Sequence, residues 1–160
     1  MKKFILLIMI LLFVVLNGNY GFSQTSYIHA TDMDVNGIFI GGTYTKSQIE
    51  EKWGIPTEYR SNESEFGLDE QYYYANDLFR FSDNGVFHSF YINTSKFTVY
   101  TAFKGGIKIG DKISKIRKIG LGTPILRDGI YYLNRNNSDD ALVLEHSKGI
   151  ITKIYFITSI

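Results

Sequence analysis

Three histidines, one aspartate-rich turn and one cluster of acids are the places where this chain could carry chemistry. The histidines are His29, His88 and His146, and neither His88 nor His146 has a histidine or carboxylate three or four residues on along a helix, which a local metal site would want. Asp32-Met33-Asp34-Val35-Asn36-Gly37 has the opening of a calcium loop, with oxygen ligands at alternate positions and Gly at the sharp turn. The residue that should close such a loop with a bidentate carboxylate is Thr43. The simpler expectation is a hairpin turn at Asn36-Gly37, with Asp32, Asp34 and Asn36 as metal ligands the alternative. Glu63, Glu65, Asp69 and Glu70 cluster, as paired glycosidase carboxylates must, but among Ser61, Asn62, Ser64 and Gly67. That setting predicts a solvated loop. Asp139-Asp140 lies in a similar stretch.

No nucleophile-elbow, phosphate-loop or dinucleotide-binding motif is present in the sequence. With no cysteine there are no disulfides, thiolate metal sites, cysteine nucleophiles or lipid anchors on cysteine. The formal charge of +1 gives no bulk attraction to nucleic acid. Lys112, Lys115, Arg117 and Lys118 make one stretch basic without interleaved aromatics, the pattern of a wet helix face. The expectation is no catalytic residue, no cofactor and no nucleic-acid partner.

The aromatic residues remain, 12 Tyr and 12 Phe in 160 residues. Alternate strand residues share a face, so Tyr72 and Tyr74 point one way and Tyr73 the other. The same alternation puts Phe87, Ser89 and Tyr91 opposite Val86, His88, Phe90 and Ile92. Both faces of that hairpin carry rings. Exposed rings on a rigid sheet suit protein binding, which makes Tyr72, Tyr74, Phe87 and Tyr91 the candidate partner-binding residues. A second covering layer, from Ser26 to Ile40 or from the other half of the chain, is the alternative. A bulged turn at Asp83-Asn84-Gly85 would exchange the two sets of residues.

The elements that must position these residues are written twice. Ile38-Phe39-Ile40-Gly41 precedes Thr45, a short helical stretch and Gly54-Ile55-Pro56. Ile107-Lys108-Ile109-Gly110 precedes Ser114, a helical stretch and Gly122-Thr123-Pro124. Thr45 and Ser114 can cap helix starts, and Gly54 and Gly122 can end helices with Pro two residues on. Ile49 with Trp53, and Ile113 with Ile116, form apolar stripes. A tyrosine-rich strand follows each half, Tyr72-Tyr73-Tyr74 or Tyr131-Tyr132, and then a hairpin, Leu78 to Ile92 or Leu142 to Phe156. The pattern predicts an α+β fold of two tandem helix-turn-sheet repeats, 24–103 and 104–160, with short helices packed on one face of antiparallel sheet.

Residues 1–23 read as a signal peptide. Met1-Lys2-Lys3 is positive, Phe4 to Leu16 is apolar, and Gly21-Phe22-Ser23 is a small-residue exit. Thirteen apolar residues are too few to span a bilayer. Cleavage after Ser23 removes two lysines and leaves 15 basic against 16 acidic residues. The expected product is an exported protein, periplasmic or extracellular, that is soluble, not a lipoprotein, and has no stable membrane insertion.

Gly42-Thr43-Tyr44-Thr45-Lys46-Ser47-Gln48-Ile49 with Trp53-Gly54-Ile55-Pro56 resembles the helix-turn segment of the BamE (SmpA/OmlA) domain. Leu78-Phe79-Arg80-Phe81-Ser82-Asp83-Asn84-Gly85-Val86 is similar to that domain's later strand and turn. Ile109-Gly110-Asp111-Lys112-Ile113-Ser114 with Gly122-Thr123-Pro124 is similar to the same segment in beta-lactamase-inhibitor-like repeats. The resemblance implies helices on a small antiparallel sheet and a non-enzymatic role in binding another extracytoplasmic protein, in envelope assembly or as an inhibitor or immunity protein. The chain lacks the BamE lipobox cysteine. A small extracytoplasmic hydrolase or carbohydrate-active protein, or a calcium-stabilised structural module, are the alternative functions.

Overall fold

The structure, a computed structural model, describes residues 32–64, 67–101, 105–118, 125–127, 130–134 and 140–157. The leader, His29 and the Gly122-Thr123-Pro124 turn lie outside the described residues. Among the described residues no helix is long and apolar enough to cross a membrane.

The fold is mostly β, which corrects the α+β expectation. Two antiparallel sheets carry it. Strands β1 (Met33–Val35), β2 (Ile38–Phe39), β7 (Val99–Thr101) and β8 (Gly106–Ile107) form a small sheet in the order β2-β1-β7-β8. Among the described residues the large sheet has eight strands. They are β3 (Glu58–Ser64), β4 (Gly67–Tyr74), β5 (Asp77–Ser82), β6 (Phe87–Ile92), β9 (Ile125–Arg127), β10 (Ile130–Asn134), β11 (Ala141–Ser147) and β12 (Ile150–Ile157). Their order is β3-β4-β5-β6-β12-β11-β10-β9, so the β6–β12 pairing carries one sheet across both halves of the chain.

Of the two expected helices, α1 (Lys46–Trp53) has eight residues, and α2 is described over Lys115–Lys118. Thr45 and Gln48 form a reciprocal cap on α1, and Gly54, at φ 85°, donates back to the Glu50 carbonyl. The Ile113–Ile116 pair spans a single turn, bonded from Ile116 N to Ile113 O at 3.2 Å.

The cover over the large sheet is mostly the small sheet. Met33, Val35, Ile38, Val99 and Ile107 join Ile49, Trp53, Phe97 and Ile116 in one core with Tyr72, Phe79, Phe81, Phe87, Phe90 and Phe156. Trp53 is the keystone of this core. Its ring meets Tyr74, Phe79, Phe81, Phe87 and Phe97 at 4.4–6.2 Å, and its Nε1 donates to the Val35 carbonyl at 2.9 Å.

A backbone clasp ties each hairpin to the segment before a helix, and it occurs twice. Gly41 N donates to Phe87 O, Phe87 N to Gly42 O and Tyr44 N to Gly85 O. Gly110 N donates to Ile151 O, Ile151 N to Asp111 O and Ile113 N to Gly149 O. Gly85 (φ +73°) is pressed so close to the Tyr44 carbonyl that a Cβ would lie 2.3 Å from that oxygen, whereas Gly149 (φ +78°) has open space.

Candidate functional site on the outer face of the large sheet

The structure divides the four candidate aromatics. Tyr72, Tyr74 and Phe87 are buried in the core, at 0%, 2% and 0% exposure, so as binding residues they are corrected to core residues. Tyr91 alone lies on the outer face, 36% exposed. The cause is a register shift. Arg80 pairs with Ser89 but Phe81 pairs with Phe87, so His88 is an extra residue in β6. Below the bulge Phe87 joins Phe90 and Ile92 inside; above it Tyr91 keeps its place outside. Simple alternation cannot foresee that exchange. Tyr72 and Tyr74 face inward because the small sheet and α1 cover their side. Burial pushes the Tyr74 phenol up to about 12, with Glu50 adding to it, and its hydroxyl donates to Gly54 O at 2.9 Å.

The outer face carries a row of apolar and aromatic side chains across four strands. Tyr73 pairs with Leu78, Leu78 with Tyr91, and Tyr91 with Tyr155. The Tyr91 and Tyr155 rings stack at 5.6 Å and 14°. The Arg80 guanidinium lies 5.9 Å from the Tyr91 centroid and that of Arg60 5.0 Å from Tyr73. Ala141 and Val143, on β11, are also buried, so the accessible part of this face lies over β4, β5, β6 and β12.

A polar rail borders the row. Tyr73 donates its hydroxyl to Gln71 Oε1 at 2.8 Å, and Gln71 Nε2 donates to Asp69 Oδ2 at 2.8 Å. Asp69 Oδ1 stands 3.3 Å from His88 Nε2, and Arg80 Nε lies 3.8 Å from Asp69 Oδ2. A carboxylate only accepts, so His88 Nε2 carries the proton of this bond. Burial holds the His88 imidazole below its ordinary value; Asp69 opposes this and Arg80 adds to it. Of the acids expected in a loop, Glu63 lies in β3 and Asp69 and Glu70 in β4, while Glu65 lies outside the described residues; the structure joins Asp69 to His88. A carboxylate-oriented imidazole becomes nucleophilic machinery only with a nucleophile at its other nitrogen.

The turn expected at Asn36-Gly37 is present. Asn36 (φ 46°) and Gly37 (φ 84°) join β1 to β2, Asp34 Oδ1 accepts from Gly37 N at 2.7 Å, and Asn36 Oδ1 accepts from Thr98 N at 3.0 Å. Asp34 and Asn36 therefore spend oxygens on the turn that calcium would need. No metal-ligand cluster occurs among the described residues. A shallow groove of about 370 Å³ lies between the start of α1, β3–β4 and the β5–β6 turn, lined by Tyr44, Lys46, Tyr59, Glu70 and Gly85 among others. There Tyr72 donates to Glu70 Oε2 at 3.1 Å, and burial followed by Glu70 raises both the Tyr72 and Tyr59 phenols.

No family model, no curated protein and no solved structure matches this chain. The resemblance to the BamE and beta-lactamase-inhibitor-like domains rests on its short motifs alone.

Proposed function

We propose that this protein is an exported, non-enzymatic binding module that docks another extracytoplasmic protein on the outer face of its large sheet. The observation that carries the reading is the stacked Tyr91–Tyr155 pair, set in a row with Leu78 and Tyr73 and bordered by Arg80, Asp69 and His88. Rigid aromatics beside an arginine, ringed by polar groups, are the composition of binding hot spots. The Lys2-Lys3 and Phe4–Leu16 leader supports export, with a mature terminus near Gln24 and no stable insertion in the membrane.

Site-specific photocrosslinking tests the reading. A benzoylphenylalanine at Tyr155 in the producing cell should yield a discrete protein adduct. Once that partner is purified, Tyr91→Ala should weaken its binding by about 2 kcal/mol or more. Equal affinity of parent and Tyr91→Ala for that partner removes the aromatic row from the interface.

A further inference from the structure

We infer that the free edge of the large sheet, strand β3, is a homodimer interface that pairs antiparallel with β3 of a second copy, centred on Ser61. Among the described residues no strand pairs with the outer side of β3. Residues 58–63 are exposed on both faces, so this stretch projects past the covering layer. It is long for an edge, contains no proline, and has no bulge within its Glu58–Ser64 register.

The direction of its backbone groups follows from the neighbouring hairpin. Ala75-Asn76 is a two-residue turn with Ala75 at φ 58°, closed by Tyr74 opposite Asp77. Such a turn is closed by a hydrogen-bonded pair, and bonded pairs alternate along the ladder. Tyr74 and Tyr72 therefore bond toward β5, and Tyr73, Gln71 and Asp69 toward β3. The Tyr73 carbonyl does accept from Thr57 N at 2.7 Å, on the β3 side. Glu58, Arg60 and Asn62, opposite these residues, spend their amides inward. Tyr59, Ser61 and Glu63 turn their amides and carbonyls outward.

Self-pairing has one register that uses all three outward residues. With Ser61 opposite Ser61 of the second copy, Tyr59 faces Glu63, and about six backbone hydrogen bonds form. Arg60 then faces Asn62, and no like charges stand opposite each other. A register centred on Arg60 would oppose two guanidinium groups and lose a bonded pair. The Ser61 register also brings the second copy's Glu63 beside Tyr59, on the side where Lys46 Nζ sits 4.5 Å over the Tyr59 ring and 3.9 Å from Glu50 Oε1, so that the ammonium would be shared between the two carboxylates. Two copies thus place two ammonium–carboxylate contacts about the two-fold axis, which is why the occupant is a second copy and not an unrelated strand.

The chain has no cysteine, so single cysteines are clean probes. Sedimentation of the purified parent from about 1 µM to about 500 µM should show a monomer–dimer equilibrium. Ser61→Pro removes only an outward amide and should weaken dimerisation at least about tenfold while leaving thermal unfolding of the monomer near the parent's. Ser61→Cys should oxidise to a covalent dimer. Asn62→Cys should not, because its own copy across the axis is displaced along the strands beyond disulfide reach. The cysteine pair decides the matter even where the proline variant fails to fold. A parent that stays monomeric throughout, a Ser61→Pro variant that dimerises as the parent does, or equal oxidation at 61 and 62 overturns the inference.

Discussion

Trp53→Ala should be among the most costly single truncations in this protein. The side chain is 5% exposed and its indole touches five other rings. Truncating a buried Trp costs about 3–5 kcal/mol when the site cannot collapse. Collapse is restricted here because the surrounding rings come from β4, β5, β6 and the segment before β7, each held in its own register. The lost Nε1 bond to the Val35 carbonyl adds about 1 kcal/mol, since it joins α1 to the small sheet. Trp53→Phe keeps most of the volume and loses that bond, so about 1–2 kcal/mol is expected. Tyr91→Ala, on the outer face, should cost about 1 kcal/mol or less, the value of its stack on Tyr155. Trp53 is the only tryptophan, so all four proteins are compared by urea melts followed by far-ultraviolet circular dichroism. A Trp53→Ala cost equal to that of Tyr91→Ala would refute the assignment of inner and outer faces.

Three further outcomes are expected. Asp77 is fully buried and accepts from Asn93 N, Thr94 N and Thr94 Oγ1, so Asp77→Ala takes the acceptor from three part-buried donors and should cost about 2–4 kcal/mol in a chemical melt. Gly85→Ala meets the Tyr44 carbonyl in a left-handed conformation and should cost about 2 kcal/mol or more. Gly149→Ala meets only the conformational strain and should cost about 1 kcal/mol; equal melting points for the two variants would contradict the close approach at Gly85. His88 is held below its ordinary value of 6.5 in the fold, so below that pH the unfolded chain binds the proton more readily. Its contribution to stability is complete above pH 6.5 and declines as pH falls toward its folded value. His88→Gln should flatten that part of the stability profile, measured as the difference from the parent.

Local signals were legible wherever one residue type has one physical use. Thr45 caps α1, Gly54 ends it, Asn36-Gly37 turns β1 into β2, and the hairpins fall where their turn residues stand. The fold class was not legible, for reasons that sit in particular residues. Ser61 to Glu63 lie in a strand whose residues 58–63 are exposed on both faces, so they carry no alternation and read as a loop. The small sheet is made of strands two or three residues long, too short for a period to show. Ile113 and Ile116 fit a helix stripe and a single turn equally well. On the outer face, strand alternation places Tyr91 but says nothing of Tyr155, its cross-strand neighbour. Their pairing depends on β6 meeting β12, a contact between strands 64 residues apart at Tyr91 and Tyr155 that no local pattern encodes.

The doubled clasp explains how a bulge and an exposed aromatic pair come to share one hairpin. In the first clasp Gly85 and Phe87 are fixed to Tyr44 and Gly42, and in the second Gly149 and Ile151 to Ile113 and Asp111. Each clasp pins the start of a hairpin's second strand before that strand meets its partner. Each hairpin then absorbs one irregularity a few residues from the clasp, between Arg80 and Phe81 in one and between Glu145 and His146 in the other. In the first hairpin that irregularity turns Phe87 into the core, where Trp53 packs on it, and leaves His88 beside Asp69 on the outside. Past it, the ladder resumes with Phe90 and Ile92 inward and Tyr91 outward, in register with Phe156, Ile154 and Tyr155. The outer tyrosine pair is therefore placed by the same constraint that completes the core. Removing His88 from β6 would leave Phe87 opposite Phe81 and Ser89 opposite Arg80 in an unbroken ladder, so Phe87 should stay in the core with the clasp intact, and only the imidazole beside Asp69 should be lost.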